Sequence, residues 1–181
     1  MSDISETLEK FMLKDNKTGV IIRLGRQEDI EQIISIESIC FPPAEAASAE
    51  SFHRRFGAFP ENFIVAQHEE NKKVIGFING CCTDSPELPD ELYSNEKLHV
   101  KNGKYQTVFG IDTLPEFQRN GIGTKLMQNL IKLSKIRGKK GVVLTCKDRL
   151  IKFYEKFGFE LRGRSRSTHG GAVWNDMVLV F

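Results

Sequence analysis

Phe117-Gln118-Arg119-Asn120-Gly121-Ile122-Gly123-Thr124 is the stretch on which the reading of this chain turns. It follows residues 105–112, a largely apolar run that reads as a strand. It opens residues 121–137, where Ile122, Leu126, Leu130 and Leu133 recur at helical spacing. Two glycines one residue apart let a backbone pass very close to a ligand. The first turn of the helix that follows offers unpaired N–H groups and the positive end of its dipole. A pyrophosphate accepts several such hydrogen bonds at once. The spacing is neither GxGxxG nor GxxxxGK[ST], so it is neither a dinucleotide fingerprint nor a P-loop. The competing reading is a plain strand-to-helix turn whose glycines serve tight packing.

Working outward, residues 20–24 read as a strand, and Ile30, Ile33, Ile34 and Ser38 mark a helix that ends before Pro42-Pro43. A second helix is expected over 48–56. Strands follow at 63–66 and 74–78, joined by a polar turn at 68–73. Residues 83–104 hold Pro86, Pro89, Asn102 and Gly103 with little periodicity, which suggests a functional loop with at most a helical turn. Beyond the glycine turn come a strand at 142–144, a helix at 148–156, and strands at 158–162 and 173–181. The order predicts an α/β (α+β) fold: a mixed, mostly antiparallel sheet of six to seven strands flanked by about four helices. Residues 1–19 are expected to form an arm or short helix ahead of one domain spanning 20–181.

The chain has 181 residues, 40% apolar and 28% charged, a soluble globular composition. Its formal charge of +2 hides an asymmetry. Residues 1–96 carry 9 Lys+Arg against 18 Asp+Glu, whereas residues 97–181 carry 17 against 6. A basic half suits a polyanionic ligand, and a solvated basic surface is the alternative. No aromatic-basic interleaving or recognition helix accompanies it, so no nucleic-acid partner is expected. No apolar run reaches the roughly 18–20 residues of a membrane helix. The start lacks the pattern of a secretory signal. Cys40, Cys81, Cys82 and Cys146 show no CxxC spacing, so no metal site is expected and a cytoplasmic location is the simplest assumption.

Gln118-Arg119-Asn120-Gly121-Ile122-Gly123 resembles, position for position, the Q/R-x-x-G-x-G/A motif of the GNAT superfamily of acyl-CoA-dependent N-acetyltransferases. A second mark of that superfamily is Phe153-Tyr154-Glu155-Lys156-Phe157-Gly158-Phe159. With Cys146-Lys147-Asp148-Arg149-Leu150, it looks like microbial relatives of the arylalkylamine N-acetyltransferase branch. The resemblance covers about residues 20–181 and is strongest over 105–160. It implies acetyl-CoA as cosubstrate, its pyrophosphate held by amides of Arg119, Asn120, Gly121, Ile122, Gly123 and Thr124. It implies further that the backbone of Ile111, Asp112 and Thr113 pairs with the pantetheine arm, and that Tyr154 lies beside the sulfur.

A primary amine has a pKa near 10, so only about one molecule in a thousand is nucleophilic at pH 7. Tyr154 is the expected general acid toward the departing thiolate, and an N–H within 109–111 is the expected oxyanion donor. Direct transfer needs neither a metal nor an enzyme nucleophile. The histidine positions of the arylalkylamine branch are here Thr107 and Phe109, which cannot act as bases. Candidates to replace them are His169, Glu45, Asp90, Glu91 and His99. The acceptor side is expected from Phe41, Glu45, Thr107, Phe109 and His169; Phe52 and Phe56, at helical spacing, favour the core. Arg162, Arg164 and Arg166 alternate into a basic ridge that suits a 3′-phosphate or an acidic partner, with a plain solvated surface as the alternative. The expected partner is a small-molecule amine, arylalkylamine or polyamine-like, and a homodimer is compatible with the reading. The alternatives are a protein N-terminal or lysine acetyltransferase and a non-catalytic acyl-CoA-binding module.

Overall fold

The computed structural model describes residues 13–15 and 19–181; the expected arm at 1–19 lies almost wholly outside them. Its elements are β1 (Leu13–Asp15), β2 (Val20–Leu24), α1 (Ile30–Cys40), α2 (Ala49–Ala58), β3 (Phe63–His68), β4 (Val74–Asn79), β5 (Cys82–Thr83) and α3 (Glu91–Ser94). There follow β6 (Tyr105–Val108), β7 (Gly110–Thr113), α4 (Ile122–Ile136), β8 (Gly141–Cys146), α5 (Ile151–Glu155), β9 (Glu160–Arg164) and β10 (Asn175–Val180). Two sheets run in the orders β1-β2-β3-β4-β7 and β5-β6-β8-β10-β9. Every pairing is antiparallel except β6 with β8.

The fold class is the expected one, but the strands outnumber the six to seven read from sequence. β1 and β5 are too short to show a period. The run 105–112 is two strands, because the chain leaves one sheet for the other at Phe109. Asn79 pairs with Gly110 yet also accepts a hydrogen bond of 2.8 Å from the Phe109 N–H, so two residues oppose one. That bulge bends the strand and ends its pairing. Just before it, Gly80 passes so close to β6 that a Cβ would stand 2.0 Å from the Thr107 carbonyl oxygen. Only glycine fits there.

Side-chain alternation along β4 sorts the helices. A Cβ on Gly76 would meet Ile122 of α4, whereas the Phe77 ring packs edge-on against Phe52 of α2 at 5.7 Å. Neighbouring strand residues face opposite ways, so α4 covers one face of the first sheet and α1 with α2 the other. Phe52, Phe56 and Phe59 are buried in this core, as the spacing of Phe52 and Phe56 suggested. Each buried phenylalanine contributes about 1.5–3 kcal/mol. Asp112 pairs in register with Phe77, which turns its side chain toward α1. One polar anchor lies within the same sheet: Arg23 reaches Asp29 with two bonds of 2.7 and 2.8 Å, and Asp29 is 1% exposed.

Candidate active site

Where β7 and β8 part, a cleft of about 1180 Å³ opens between the sheets. Its lower wall is the glycine turn. Gly121 takes φ +77° as the N-cap of α4, and Arg119 before it takes φ +63°. The first intrahelical bond is Lys125 N–H to the Gly121 carbonyl at 3.0 Å. The N–H groups of Ile122, Gly123 and Thr124 therefore have no helical acceptor. A Cβ on Gly121 would meet nothing within 4 Å, so the space over the amides is open. Successive backbone donors at a left-handed bend form an anion-binding concavity. Arg119, Arg149 and Lys156 also line the cleft and add positive charge to it. These features fit a pyrophosphate.

β7 is the edge of its sheet. Leu114 N–H donates to the Ile75 carbonyl, and bonded positions alternate in an antiparallel ladder. Ile111 and Thr113 accordingly turn their backbone groups toward the slot. An open strand edge of this kind can pair with an extended chain. Within the expected range 109–111, the Phe109 N–H is spent on Asn79, whereas the Ile111 N–H is turned toward the slot. Across the slot, Tyr154 on α5 lines the cleft and is 4% exposed. Burial, with the nearby Cys146, Asp112 and Tyr93, holds its hydroxyl well above the ordinary phenol range.

The other end of the cleft is roofed by three loops bonded to one another. Lys147 Nζ reaches Glu45 Oε1 at 2.7 Å, and His169 Nε2 lies 2.9 Å from the Glu45 carbonyl oxygen. Asp90 accepts from Ser167 and from Thr168. The His169 ring stacks on Tyr93 at 5.3 Å, and the Tyr93 hydroxyl lies 2.9 Å from Thr145 Oγ1. Arg55 rises from α2 beneath the roof, 4.8 Å from the Phe109 ring centroid, and donates to the Tyr93 carbonyl at 2.7 Å.

Two acids meet below this roof. Glu37, in the last turn of α1, is 5% exposed; Asp112 is 7% exposed. Glu37 Oε1 accepts the Ala47 N–H at 2.8 Å. Glu37 Oε2 and Asp112 Oδ2 are closed off from solvent and have no donor partner. A Cβ built on Gly110 would lie 3.5 Å from the first and 3.6 Å from the second, and the two carboxyls are within hydrogen-bonding reach of each other once one holds a proton. Burial raises the Glu37 carboxyl. Burial, then the Glu37 charge and a hydrogen bond with it, raise Asp112 well above the carboxylate range.

Of the residues expected at the site, Phe41, Glu45, Phe109, Ile111, Asp112, Thr113, Arg119, Gly121, Ile122, Gly123, Thr124, Tyr154 and His169 all line this one cleft. Thr107 and Asn120 do not. Thr107 is wholly buried, its hydroxyl donating to the Cys81 carbonyl at 3.0 Å, and Asn120 faces solvent. His99 lies outside the cleft as well: it accepts the Cys82 N–H and packs on Phe59. The ridge of Arg162, Arg164 and Arg166 stands on exposed surface away from the cleft. Glu37, Arg55 and Tyr93 were not foreseen. Glu37 alone left a trace: it sits seven residues after Ile30, on the stripe begun by Ile30, Ile33 and Ile34.

Among the described residues, no group of three or more His, Cys, Asp or Glu is placed to hold a metal ion. No helix among them is long and apolar enough to cross a membrane.

Comparison with known proteins agrees with this geometry. The model of the acetyltransferase (GNAT) family matches residues 30–159. YkwB of Bacillus subtilis, described as an uncharacterized N-acetyltransferase, is 27% identical over 127 residues, 64% of this chain and 55% of that protein. Serotonin N-acetyltransferase of Mesocricetus auratus is 28% identical over 109 residues, 60% of this chain and 51% of that one. The chain thus spans about half the length of these curated relatives. Two solved structures share the fold. The GphF GNAT-like decarboxylase in complex with isobutyryl-CoA has a TM-score of 0.76 at 17% identity, over 88% of this chain and 98% of that one. The ribosomal-protein-S18-alanine N-acetyltransferase from Escherichia coli has a TM-score of 0.65 at 23% identity, over 89% and 93%. With a family model covering well over half its length, the chain belongs to the acetyltransferase (GNAT) family.

Proposed function

We propose that this protein transfers the acetyl group of acetyl-CoA to the primary amine of a small molecule, arylalkylamine or polyamine-like. The observation that carries the reading is continuity. One cleft runs from the open amides of Ile122, Gly123 and Thr124, along the edge of β7, where the Thr113 carbonyl accepts from Gln118 Nε2 at 3.0 Å but no strand pairs, to the Tyr154 ring. When bound, the thioester supplies an activated acyl carbon. The chain holds the pyrophosphate on the α4 amides and the pantetheine arm on β7. The Ile111 N–H faces the carbonyl oxygen as negative charge develops there. Tyr154, protonated throughout the neutral range, gives its proton to the departing sulfur.

The roof supports a small acceptor over a peptide. Bonds from Glu45 to Lys147 and His169, and from Asp90 to Ser167, draw the loops together where a polypeptide would need an open groove. The serotonin N-acetyltransferase relative is in keeping with an arylalkylamine, and the S18-alanine enzyme keeps protein acetylation as the alternative.

The test is CoA-dependent thermal unfolding of the wild type and Gly121→Val, followed by a panel of amines with acetyl-CoA and detection of free thiol. CoA at about 100 times its Kd stabilises by about 2.7 kcal/mol, or about 5–10 °C for a chain of this size. Gly121→Val should lose that rise; a side chain at φ +77° also strains the backbone, so each protein's CoA-induced rise is read against its own melting temperature without CoA. Equal protection of the variant would overturn the pyrophosphate reading. Protection without thiol release for any amine or N-terminal peptide would leave an acyl-CoA-binding module.

A further inference from the structure

We propose that Asp112 is the seat of the acceptor's ammonium group and takes its proton, with Glu37 as the positioning residue that makes it basic enough to do so. This rests on the acetyl-transfer reading above. It supplies a base where Thr107 and Phe109 cannot act as one, and it differs from the candidates His169, Glu45, Asp90, Glu91 and His99.

The argument starts from four carboxyl oxygens. Glu37 Oε1 is taken by the Ala47 N–H. Glu37 Oε2 and Asp112 Oδ2 are unpartnered, closed off from solvent, and both lie beside Gly110. Two carboxylates cannot both stay ionised at such range, and one proton shared between Oε2 and Oδ2 satisfies both. Asp112 Oδ1 is then the oxygen left for the cleft. The pair presents a single negative charge there, one residue from the Ile111 N–H that faces the acyl oxygen. The Asn79 side-chain amide lies beside the same point, its Oδ1 3.8 Å away and its Nδ2 buried without an acceptor.

The charges around the pair are mixed. Arg55 on α2 and His169 on the roof bear on Glu37 and favour its ionised form. Cys40 on α1 and Tyr154 on α5 feel the Asp112 charge. Asp112 itself has no cation among the influences upon it: burial, the Glu37 charge and the Glu37 hydrogen bond all raise it. The pair as a whole carries one negative charge, and an ammonium arriving through the cleft supplies the cation that the Asp112 side of it lacks.

The step balances. The singly protonated pair accepts one proton from R–NH3⁺ on Asp112 Oδ1, giving two neutral carboxyls and R–NH2, and that proton passes to solvent. The nitrogen lone pair forms the C–N bond as the C–S bond breaks. The second nitrogen proton goes to the pair and thence replaces the one Tyr154 gave to sulfur. One amide, one thiol and one released proton result.

Two measurements decide it. The first needs no turnover: carboxyl ¹³C NMR of the wild-type protein with labelled Asp and Glu, titrated with pH and then with propylammonium or tetramethylammonium at equal ionic strength. The Asp112 signal should titrate above the ordinary carboxylate range. Propylammonium, which has N–H donors, should move it, and tetramethylammonium should not. An ordinary titration near pH 4, or equal response to both cations, overturns the proposal. The second is the pH profile of kcat/KM for the best amine of the panel. Asp112→Asn should lower kcat/KM by about 10²–10⁴-fold with the KM for acetyl-CoA little changed. Glu37→Gln, which keeps the bond to Ala47, should shift the acidic limb to lower pH. A variant Asp112→Asn with wild-type kcat/KM sinks the base. If the wild type acetylates nothing, the enzymatic reading fails, and the NMR response to propylammonium still decides the ammonium seat.

Discussion

Lys147 Nζ and Glu45 Oε1 stand 2.7 Å apart, and this bond ties the end of β8 to the loop after α1 across 102 residues of chain. The Glu45 side chain is 8% exposed and its Oε2 has no other partner. The Lys147 ammonium also lies 5.6 Å from the Trp174 ring centroid. The pair is a clasp on the acceptor end of the cleft. Lys147→Met should cost about 1–3 kcal/mol by leaving Glu45 short of a donor. It should raise the KM for the amine with little change in the KM for acetyl-CoA, whose expected contacts lie on α4 and β7. Urea unfolding and two-substrate kinetics read the two effects; a rise in the acetyl-CoA KM alone would contradict the clasp.

Tyr154→Phe keeps the buried ring and removes the hydroxyl proposed as the acid. Turnover should fall by about 10²–10⁴-fold, with CoA affinity and melting temperature nearly unchanged. The wild-type hydroxyl is held above its ordinary range, so the phenol should give no alkaline limb in kcat below about pH 10. Wild-type turnover in the variant across that range removes Tyr154 from the chemistry.

Asp112 makes stability depend on pH with a definite sign. Its folded-state pKa is raised, so the folded chain binds this proton more tightly than the unfolded chain. Stability from this group is therefore greatest below the ordinary carboxylate range. It declines as pH rises through that range toward the raised folded value. Asp112→Asn cannot ionise and should flatten the decline. Urea midpoints at pH 5 and pH 8 for both proteins check it, and parallel slopes would refute it.

Arg23 and Asp29 form a buried two-point ion pair, and Asp29 Oδ2 also accepts the Arg26 N–H at 2.7 Å where the chain turns into α1. Arg23→Met strands the carboxylate and should cost about 3–5 kcal/mol. This is the largest loss predicted here for a site remote from the cleft. A loss under about 1 kcal/mol in urea unfolding would mean that Asp29 finds another donor or takes up a proton.

The glycine turn and the helix bearing Tyr154 were legible in the sequence because both are local. A left-handed glycine at a helix start, and an aromatic at a fixed step along a short helix, carry their meaning within about ten residues. Most strands and helices were legible for the same reason, through their periodicity. Thr107 was placed at the site by its match to a histidine position of the arylalkylamine branch, on a run 105–112 read as one strand. The bulge opposite Asn79 breaks that strand at Phe109 and sends Thr107 into the interior.

By itself the sequence determined the fold class, the anion-binding bend and the tyrosine, since backbone freedom and hydrophobic spacing are properties of neighbouring residues. The tertiary structure alone decided the acid pair and the clasp. Glu37 meets Asp112, and Glu45 meets Lys147, only after α1 has packed on β7 and the two sheets have parted. Charge pairing falls off with distance in space and is indifferent to distance along the chain, so no local pattern announces which acid will be buried beside which.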